Sequence, residues 1–294
     1  MSLLGFDVGG TNIKAGLFDD GFLMLSKKSV RFSKEISHGE IFKKMREAAA
    51  EMLSENGLGE ESVKALGVAV AGAVDDLNGI VLRAHNLNFY DVPVRTEMAR
   101  LFPGAAVSVI NDADAATLAE YKLGALKGCK NALLLTLGTG MGGGAIIGGR
   151  LWGGGLGHGF EPGHVTIDKN GSLCTCGNRG CAETLCSATW IKNRAGKDVK
   201  TVFDLAKNGD HGSIEIVNEY IDNLSTAIAS LTAVFDPEII ALGGGVGLAG
   251  SFLTDPLAEK VAQKSFFKHP YKIVPAALGN DAGMTGAAIA AVIL

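Results

Sequence analysis

Two glycine-rich hairpins constrain the fold of this chain most strongly. Residues 3–8 (L-L-G-F-D-V) have the character of a buried strand, and the turn G-G-T-N leads into a second strand, I-K-A-G-L-F. The same order returns shortly before the midpoint, where the strand 131–137 is followed by the turn G-T-G-M-G-G-G and the strand A-I-I-G-G-R-L. The likeness is architectural and weak at the level of individual residues. It predicts two related α/β lobes facing a common cleft, with a hinge near residues 111–113.

The remaining segments alternate between amphipathic helices and short apolar strands. Apolar residues recur at helical spacing, and Asn-Gly or Gly-rich steps end the periodic segments. The expected elements are helices over residues 40–56, 111–125, 213–235 and 282–294, and strands over residues 65–71, 107–110 and 238–242.

Composition excludes several classes of protein. The chain has 294 residues, 47% of them hydrophobic, which is ample for a large bilobal core. Its net charge of −4 gives no reason to expect a nucleic acid or an anionic membrane as partner. No apolar run approaches the length of about 20 residues that spans a bilayer, and the start M-S-L-L-G-F-D lacks the features of a signal peptide. We therefore expect a cytoplasmic protein whose cysteines stay reduced.

A short run of metal-ligand residues lies just after the midpoint. It reads G-H-x9-C-T-C-G-N-R-G-C-A-E and contains His164, Cys174, Cys176 and Cys181. One imidazole and three thiolates form the ligand set of a closed, tetrahedral structural zinc site, and the glycines at 177 and 180 allow a tight chain reversal. The alternatives are reduced, inert cysteines or, in an oxidising compartment, disulfides.

The residues around this run are of two kinds. Glu161 and Glu183 flank it, so a bound ion would fix two carboxylates in space and build a polar binding site. Cys129 and Cys186 lack a nearby His or Cys partner outside the cluster, and we expect them to be small buried apolar residues.

Three glycine-rich turns have the chemistry of phosphate-binding loops. In the turn that follows Asp7, glycines let backbone N–H groups approach a phosphate, and Thr11 and Asn12 add side-chain donors. Asp7 could hold Mg²⁺ through water. The turn at 137–144 follows the same logic, and Gly243–Gly245 supply a third glycine site. None is a P-loop, neither hairpin turn has the Rossmann context, and ordinary glycine-rich turns are the alternative.

Two asparagine-containing segments each allow two interpretations. Asn111-Asp112 follows a strand and begins a helix, so these residues are helix N-caps or Asp112 is a general base at the floor of a cleft, and one carboxylate could serve both purposes. Asn86 lies in a loop, where an amide satisfies local backbone groups or binds sugar hydroxyls.

We interpret Trp152 and Trp190 as packing anchors. The other histidines are interpreted as surface or locally bonded residues, namely His38, His85, His158, His211 and His269.

Taken in order, these motifs resemble those of the ROK family (repressor, open reading frame, kinase) of sugar kinases. The resemblance covers residues 3 to 294, and the cysteine run is its most specific part. The matching motifs are Asp7–Thr11, Asn86-Leu87, Asn111-Asp112-Ala113, Leu137–Gly144, Glu161-x-Gly163-His164, C-x-C-G-x-x-G-C-x-E at 174–183, and Gly243–Val246.

The resemblance implies an α/β fold of the actin/hexokinase type, with two ribonuclease-H-like lobes around a central ATP and sugar cleft. The N-terminal lobe would comprise residues 1–112, with the helix 281–294 packing back on it. The C-terminal lobe would comprise residues 113–280 and contain the zinc site.

The resemblance also implies the roles of individual residues. Asp112 matches the family's catalytic base, and His164 would bind both sugar and zinc. ATP phosphates would lie against Asp7, Gly9, Gly10, Thr11 and Asn12, with Thr139 and Gly140 on the opposite wall and Gly243, Gly244 and Gly245 near adenosine. Sugar contacts would come from Gly72, Asn86, Asn111, Asp112, Glu161, His164 and Glu183.

The implied activity is ATP-dependent phosphorylation of a hexose at its 6-hydroxyl, with glucose the simplest substrate, Mg²⁺ accompanying ATP and Zn²⁺ structural. The alternatives are kinases of N-acetylmannosamine, N-acetylglucosamine, allose or fructose, and a non-catalytic sugar sensor. A repressor would need a helix-turn-helix before the first strand, which begins at Leu3. Such kinases are commonly dimers, so we expect a homodimer.

The sequence departs from the family pattern beside the cysteine run. Gly159-Phe160-Glu161-Pro162 stands where the family usually has A-G-E, so we expect Phe160 and Pro162 to reshape the pocket around C1 and C2 of the sugar. Ala71-Gly72 stands where Pro-Gly is common, a change of small expected consequence. The identity of the sugar therefore stays open.

Overall fold

The computed structural model describes residues 2–157 and 159–294, so the expectation for His158 lies outside the described residues. The chain forms two compact units. The first contains Met1–Ala119, Gly153–Gly159 and Asn280–Leu294, and the second contains Glu120–Trp152 and Phe160–Gly279. The lobe boundary expected after residue 112 stays a prediction.

The helices and strands alternate along the chain. The strands are β1 (Ser2–Val8), β2 (Asn12–Asp19), β3 (Met24–Arg31), β4 (Val63–Val70), β5 (Ala73–Asp75), β6 (Ile80–Ala84), β7 (Phe89–Val92), β8 (Ala106–Asn111), β9 (Ala132–Leu137), β10 (Met141–Ile147), β11 (Arg150–Leu151), β12 (Ile239–Gly243) and β13 (Lys272–Pro275). The helices are α1 (His38–Glu55), α2 (Val94–Leu101), α3 (Asp112–Leu123), α4 (Glu183–Cys186), α5 (Ala188–Ala195), α6 (Val199–Lys207), α7 (His211–Phe235), α8 (Gly244–Gly247), α9 (Ser251–Lys264) and α10 (Ala282–Ile293).

The two units contain five-stranded sheets of the same topology. The first sheet has the order β3-β2-β1-β4-β8, and the second has the order β11-β10-β9-β12-β13. In each sheet, the central strand pairs antiparallel with its hairpin partner on one side and parallel with a later strand on the other. The predicted repeat of strand, glycine turn and strand is thus confirmed, and it extends to the whole order of strands. The first unit also holds the small sheet β5-β6-β7.

Helices cover both faces of the first sheet. Leu4 and Phe6 belong to the apolar cluster that includes Met45 and Ala49 of α1. Leu3 faces the other way, in the cluster with Met284 of α10. Because successive side chains of a strand point to opposite faces, a strand covered on both sides is largely apolar, which explains why all residues of β1 except Asp7 are buried.

The backbone of α10 lies directly against the first sheet. A Cβ atom at Gly67 of β4 would collide with the Ala287 carbonyl, and one at Gly5 of β1 would collide with the Met284 carbonyl. The absence of side chains at these two strand positions is therefore what admits the helix so closely.

The second unit has its core between its sheet and α7. Leu133 and Leu135 of β9 share one buried cluster with Leu224 and Ile228 of α7. Cys186 is fully buried there and Cys129 is buried elsewhere, as predicted for both. In the described part of the chain, no helix has the length and apolarity needed to cross a membrane.

Candidate functional site

The carboxyl ends of three parallel strands meet at one edge of the first sheet. Val8 of β1 lies beside Val70 of β4, and Val70 lies beside Asn111 of β8. The chain segments that follow them, the Gly9–Thr11 turn, Ala71-Gly72 and Asp112, therefore leave the sheet side by side. In α/β sheets this edge is where ligands bind.

The first glycine turn is held at two points and leaves its hydroxyl exposed. The Gly9 N–H donates to the Asn12 carbonyl at 2.9 Å, and the Phe32 N–H donates to the Thr11 carbonyl at 3.0 Å. Thr11 is exposed. A Cβ atom at Gly10 would lie 3.0 Å from Cβ of Asn86, so the structure brings this turn against the asparagine loop.

The structure shows which residue caps the start of α3. The Asn111 side-chain oxygen accepts from the N–H groups of Ala113 at 2.8 Å and Asp114 at 3.2 Å, so Asn111 performs the capping. Its amide nitrogen donates to the Gly72 carbonyl at 3.0 Å. The N-cap interpretation of the Asn111-Asp112 pair is therefore confirmed at Asn111, Asp112 is the first residue of the helix, and its role as a base stays a prediction.

Asp7 has a partner that the sequence interpretation missed. Lys14 Nζ lies 3.0 Å from Asp7 Oδ2 and also donates to the Asn280 carbonyl at 3.2 Å. The two residues are directly opposite in the β1–β2 hairpin. Counting outward from the glycine turn would have found this pair, because hairpin residues equally far from the turn face one another.

The second glycine turn and the third glycine site adjoin at the edge of the second sheet. Gly243 of β12 lies beside Thr136 of β9. A Cβ atom at Gly244 would collide with the Leu137 backbone, so the two glycine segments touch. Thr139, Gly244 and Gly245 are exposed. The second unit thus repeats the arrangement of the first, with a glycine turn that exposes a threonine at the end of the central strand.

Glu183 fixes the second glycine turn. Its Oε2 accepts from the Met141 N–H at 3.0 Å and fills the space where a side chain at Gly140 would stand. The start of α5 binds the same turn, since the Thr189 hydroxyl donates to the Thr139 carbonyl at 2.6 Å. Thr189 carried no sequence signal, because only the tertiary fold brings it to the turn.

The predicted metal ligands come together. The ligand atoms of His164, Cys174, Cys176 and Cys181 all lie within 4.8 Å of one another. The sulfurs of Cys176 and Cys181 are 3.6 Å apart, which is too far for a disulfide. A tetrahedral ion with bonds of about 2.3 Å to sulfur would separate two sulfurs by about 3.8 Å. The four side chains therefore fit a zinc ion.

Backbone hydrogen bonds fold the chain around this cluster. The Cys174 N–H donates to the Asn178 carbonyl at 2.7 Å, and the Ile167 N–H donates to the Gly180 carbonyl at 2.9 Å. Gly180 has φ +65°, and any Cβ atom there would collide with the Asp168 carbonyl. This position therefore requires glycine for both its conformation and its space.

The protonation of the cluster differs between its members. Burial raises the pKa of the Cys181 thiol to about 12, whereas a backbone hydrogen bond from Asn178 is the main cause that lowers the pKa of Cys176. Metal ligation requires thiolates, so a bound ion must displace the Cys181 proton.

Glu161 is a carboxylate next to this cluster. The residue reaches the protein surface, but nearby protein atoms displace part of the water around its carboxylate. This partial loss of hydration raises the pKa of Glu161. The Glu183 charge also raises the pKa, and His164 opposes the shift. The structure thus brings together Glu161, His164 and Glu183, as the sequence predicted.

Phe160 lies in the core of the second unit. It is 7% exposed, and its ring meets Phe235 edge-on with centroids 5.1 Å apart. Trp152 packs on the same Phe235 ring at 5.7 Å, as expected of a packing anchor. A Cβ atom at Gly143 would meet both Phe160 and the buried Pro162. The two departures from the family pattern therefore pack together against β10.

Comparisons with known proteins agree with this architecture. The model of the ROK family matches residues 3–292. The chain belongs to the ROK family. A glucokinase of Thermotoga maritima is 35% identical, with 98% of this chain and 96% of the relative aligned. An N-acetylmannosamine kinase of Haemophilus influenzae is 31% identical, with 98% and 94% aligned.

A solved structure extends the comparison to the fold. A ROK family glucokinase from Streptomyces griseus, crystallised with glucose and AMPPNP, has a TM-score of 0.84 and 31% identity, and 99% of each chain is covered. The predicted family and the predicted actin/hexokinase-like α/β fold are both confirmed.

Proposed function

We propose that this ROK protein is an ATP-dependent sugar kinase that transfers the γ-phosphoryl group to the 6-hydroxyl of a hexose. The observation that carries the proposal is the edge of the first sheet, where the glycine turn, Gly72 and Asp112 leave neighbouring strand ends. A phosphate-binding turn beside a carboxylate is the combination that phosphoryl transfer to a hydroxyl requires. The likeness to a glucokinase bound to glucose and AMPPNP supports the same activity.

The nucleotide would be held by backbone and hydroxyl groups. The phosphates would contact the backbone N–H groups of Gly9 and Gly10, the exposed Thr11 hydroxyl and Asn12. As the family resemblance implies, Thr139 and Gly140 would also contact phosphates. Gly243–Gly245 would lie near adenosine. Mg²⁺ bound with ATP would neutralise charge on the phosphates, and Asp7 would bind it through water.

Asp112 would act as the general base. Asn111 caps α3 and donates to the Gly72 carbonyl, so the position of the base is fixed relative to the second strand end. Asp112 accepts the proton of the sugar hydroxyl as the bond to phosphorus forms, and ADP leaves with the bond electrons. Positioning supplies most of the rate, since a carboxylate need only accept this proton late.

Zinc would shape the sugar site. His164 Nδ1 lies 3.8 Å from Cys174 Sγ and so faces the cluster, which leaves Nε2 on the far side of the ring for a sugar hydroxyl. Ligation would thereby fix one sugar donor and hold Glu161 beside it. Asn86, Asn111 and Glu183 would complete the contacts with the sugar.

The test is release of ADP from Mg-ATP across a sugar panel of glucose, mannose, allose, fructose, N-acetylglucosamine and N-acetylmannosamine. We expect turnover that falls by about 10²–10⁴-fold in Asp112→Asn. No turnover on any sugar by folded, zinc-loaded protein would contradict the proposal and would favour a non-catalytic sensor.

The second candidate is an N-acylhexosamine kinase. The 31% identity with an N-acetylmannosamine kinase over nearly the whole chain favours it specifically. The panel separates the two, because an N-acylhexosamine kinase would turn over N-acetylmannosamine or N-acetylglucosamine faster than glucose.

We further propose that the enzyme works as a cytoplasmic homodimer. Sedimentation analysis of the zinc-loaded protein tests the assembly, and a monomer at micromolar concentration would contradict it.

A further inference from the structure

Helix α3 carries a buried acidic residue, Glu120, that the proposed mechanism does not use. Glu120 is the one fully buried carboxylate among residues 2–157 and 159–294, with 0% exposure. A buried carboxylate is costly unless hydrogen bonds compensate for the lost water.

Three backbone N–H groups provide this compensation. Glu120 Oε2 accepts from Ala125 at 2.8 Å and from Ala277 at 3.1 Å, and Oε1 accepts from Leu278 at 2.8 Å. A side chain at Gly124 would collide with Oε2, so position 124 must be glycine for the carboxylate to fit.

Glu120 lies at a point where the chain crosses from one unit to the other. The chain passes from the first unit to the second between Ala119 and Glu120, and it returns for the last time between Gly279 and Asn280. Ala277 and Leu278 lie immediately before that return. One carboxylate therefore ties together two of the chain connections between the units.

Each of these connections leads to a part of the proposed active site. Helix α3 begins with Asp112, so displacement of the helix would displace the base. The segment after Leu278 leads to Asn280, whose carbonyl accepts from Lys14, and Lys14 pairs with Asp7 beside the phosphate turn. Glu120 thus links, within the second unit, the residue that continues α3 to the two residues that lead to Asn280.

We propose that Glu120 is a positioning residue that couples sugar binding to nucleotide binding. The inference rests on the proposed kinase function. Loss of the carboxylate charge weakens three hydrogen bonds at once and frees the two connections from one another, while no side chain assigned to sugar or nucleotide is altered. The affinity for each ligand alone is then retained, and the effect of one ligand on the other is lost.

Titration calorimetry tests this with glucose, measured in the absence and in the presence of saturating Mg-AMPPNP. N-acetylmannosamine replaces glucose if the sugar panel selects it. We expect AMPPNP to tighten sugar binding to the wild type by about fivefold or more, within the usual range of coupling between sites. In Glu120→Gln we expect about twofold or less, with the Kd of each ligand alone unchanged within about twofold and kcat lowered more than KM is raised.

Glu238→Gln is the matched control. The Glu238 carboxylate also accepts from two backbone N–H groups, Lys130 at 2.7 Å and Asn131 at 2.9 Å, but it lies at neither connection. This variant should keep the coupling of the wild type. Glu120→Asp keeps the charge but is one methylene too short to reach both connections, so it should repeat the loss if Glu120→Gln does not fold.

Several results would overturn the inference. They are full coupling in the Glu120 variants, an equal loss in Glu238→Gln, or no coupling in an active wild type. Failure of the wild type to turn over any sugar would instead overturn the kinase assignment, and the inference with it.

Discussion

The edges of the two sheets position their glycine turns and neighbouring side chains by different means. Both place a glycine turn with an exposed threonine, Thr11 or Thr139, at the end of the central strand, in sheets of the same strand order. In the first unit, regular elements do the positioning, since the Asn111 cap and strand register place Asp112 and Gly72. In the second unit, the turn depends on Glu183, which follows an irregular segment folded around the cysteine cluster. The first edge should therefore tolerate loss of metal, and the second should not.

Removal of one metal ligand should have the largest effect. Cys181→Ser removes a buried thiolate that the ion needs, so we expect loss of zinc, loss of order over residues 164–183 and loss of sugar binding. Zinc content by mass spectrometry, limited proteolysis and calorimetry with glucose measure these effects.

Cys129→Ser is the matched control, because Cys129 is buried but lies outside the cluster. It should keep one zinc per chain and its sugar affinity. Sugar affinity that survives both Cys181→Ser and chelation would contradict the dependence of the second edge on metal.

The next largest effect should come from the first unit. Gly67→Ala places a methyl group on the Ala287 carbonyl, and neither the strand nor α10 has a flexible side chain there to yield. Overpacking of this kind costs about 1–3 kcal/mol, and rigid backbone contacts lie at the high end. Urea unfolding should show the loss as a lower midpoint.

Gly39→Ala provides the contrast within the same unit. Nothing lies within 4 Å of a Cβ atom at Gly39, the second residue of α1. This variant should stabilise the protein by about 0.5 kcal/mol or less, because alanine is the better helix former but the first turn gains less than a helix interior. Equal stability of the two variants would show that α10 moves away at low cost.

Loss of the cap on α3 should have an intermediate effect. Asn111→Ala removes the oxygen that accepts from two N–H groups and the amide that binds the Gly72 carbonyl. We expect a loss of about 1–2 kcal/mol, together with a lower kcat because Asp112 is no longer held. Asn111→Asp keeps the cap oxygen and should recover most of the stability. Unchanged kcat in Asn111→Ala would show that the Asn111 cap is not needed to position Asp112.

The difference between the edges also determines what the sequence could predict. Hairpins, buried strands and the Cys/His spacing are local patterns, so the repeat and the metal cluster were predictable. Strand β3 was missed because its residues alternate between half-buried and exposed and include two lysines. Contacts such as Glu183 with Met141 or Glu120 with Leu278 join residues far apart in the chain, and only tertiary packing creates them.

The smallest effect should be on the pH dependence of stability at the second edge. Partial loss of hydration and the Glu183 charge raise the pKa of Glu161 in the folded state. The folded protein then keeps this proton to higher pH than the unfolded chain. Glu161 thus costs no stability below the ordinary glutamate pKa, and stability falls as the pH rises through the raised value.

In Glu161→Gln this fall should vanish, so the variant should gain stability relative to wild type between pH 4.5 and pH 7 while losing sugar affinity. Urea unfolding of both proteins at the two pH values measures the difference, with other titrating groups common to both. A gain that is the same at both pH values would assign the effect to packing and would leave the carboxylate without an electrostatic cost at this edge.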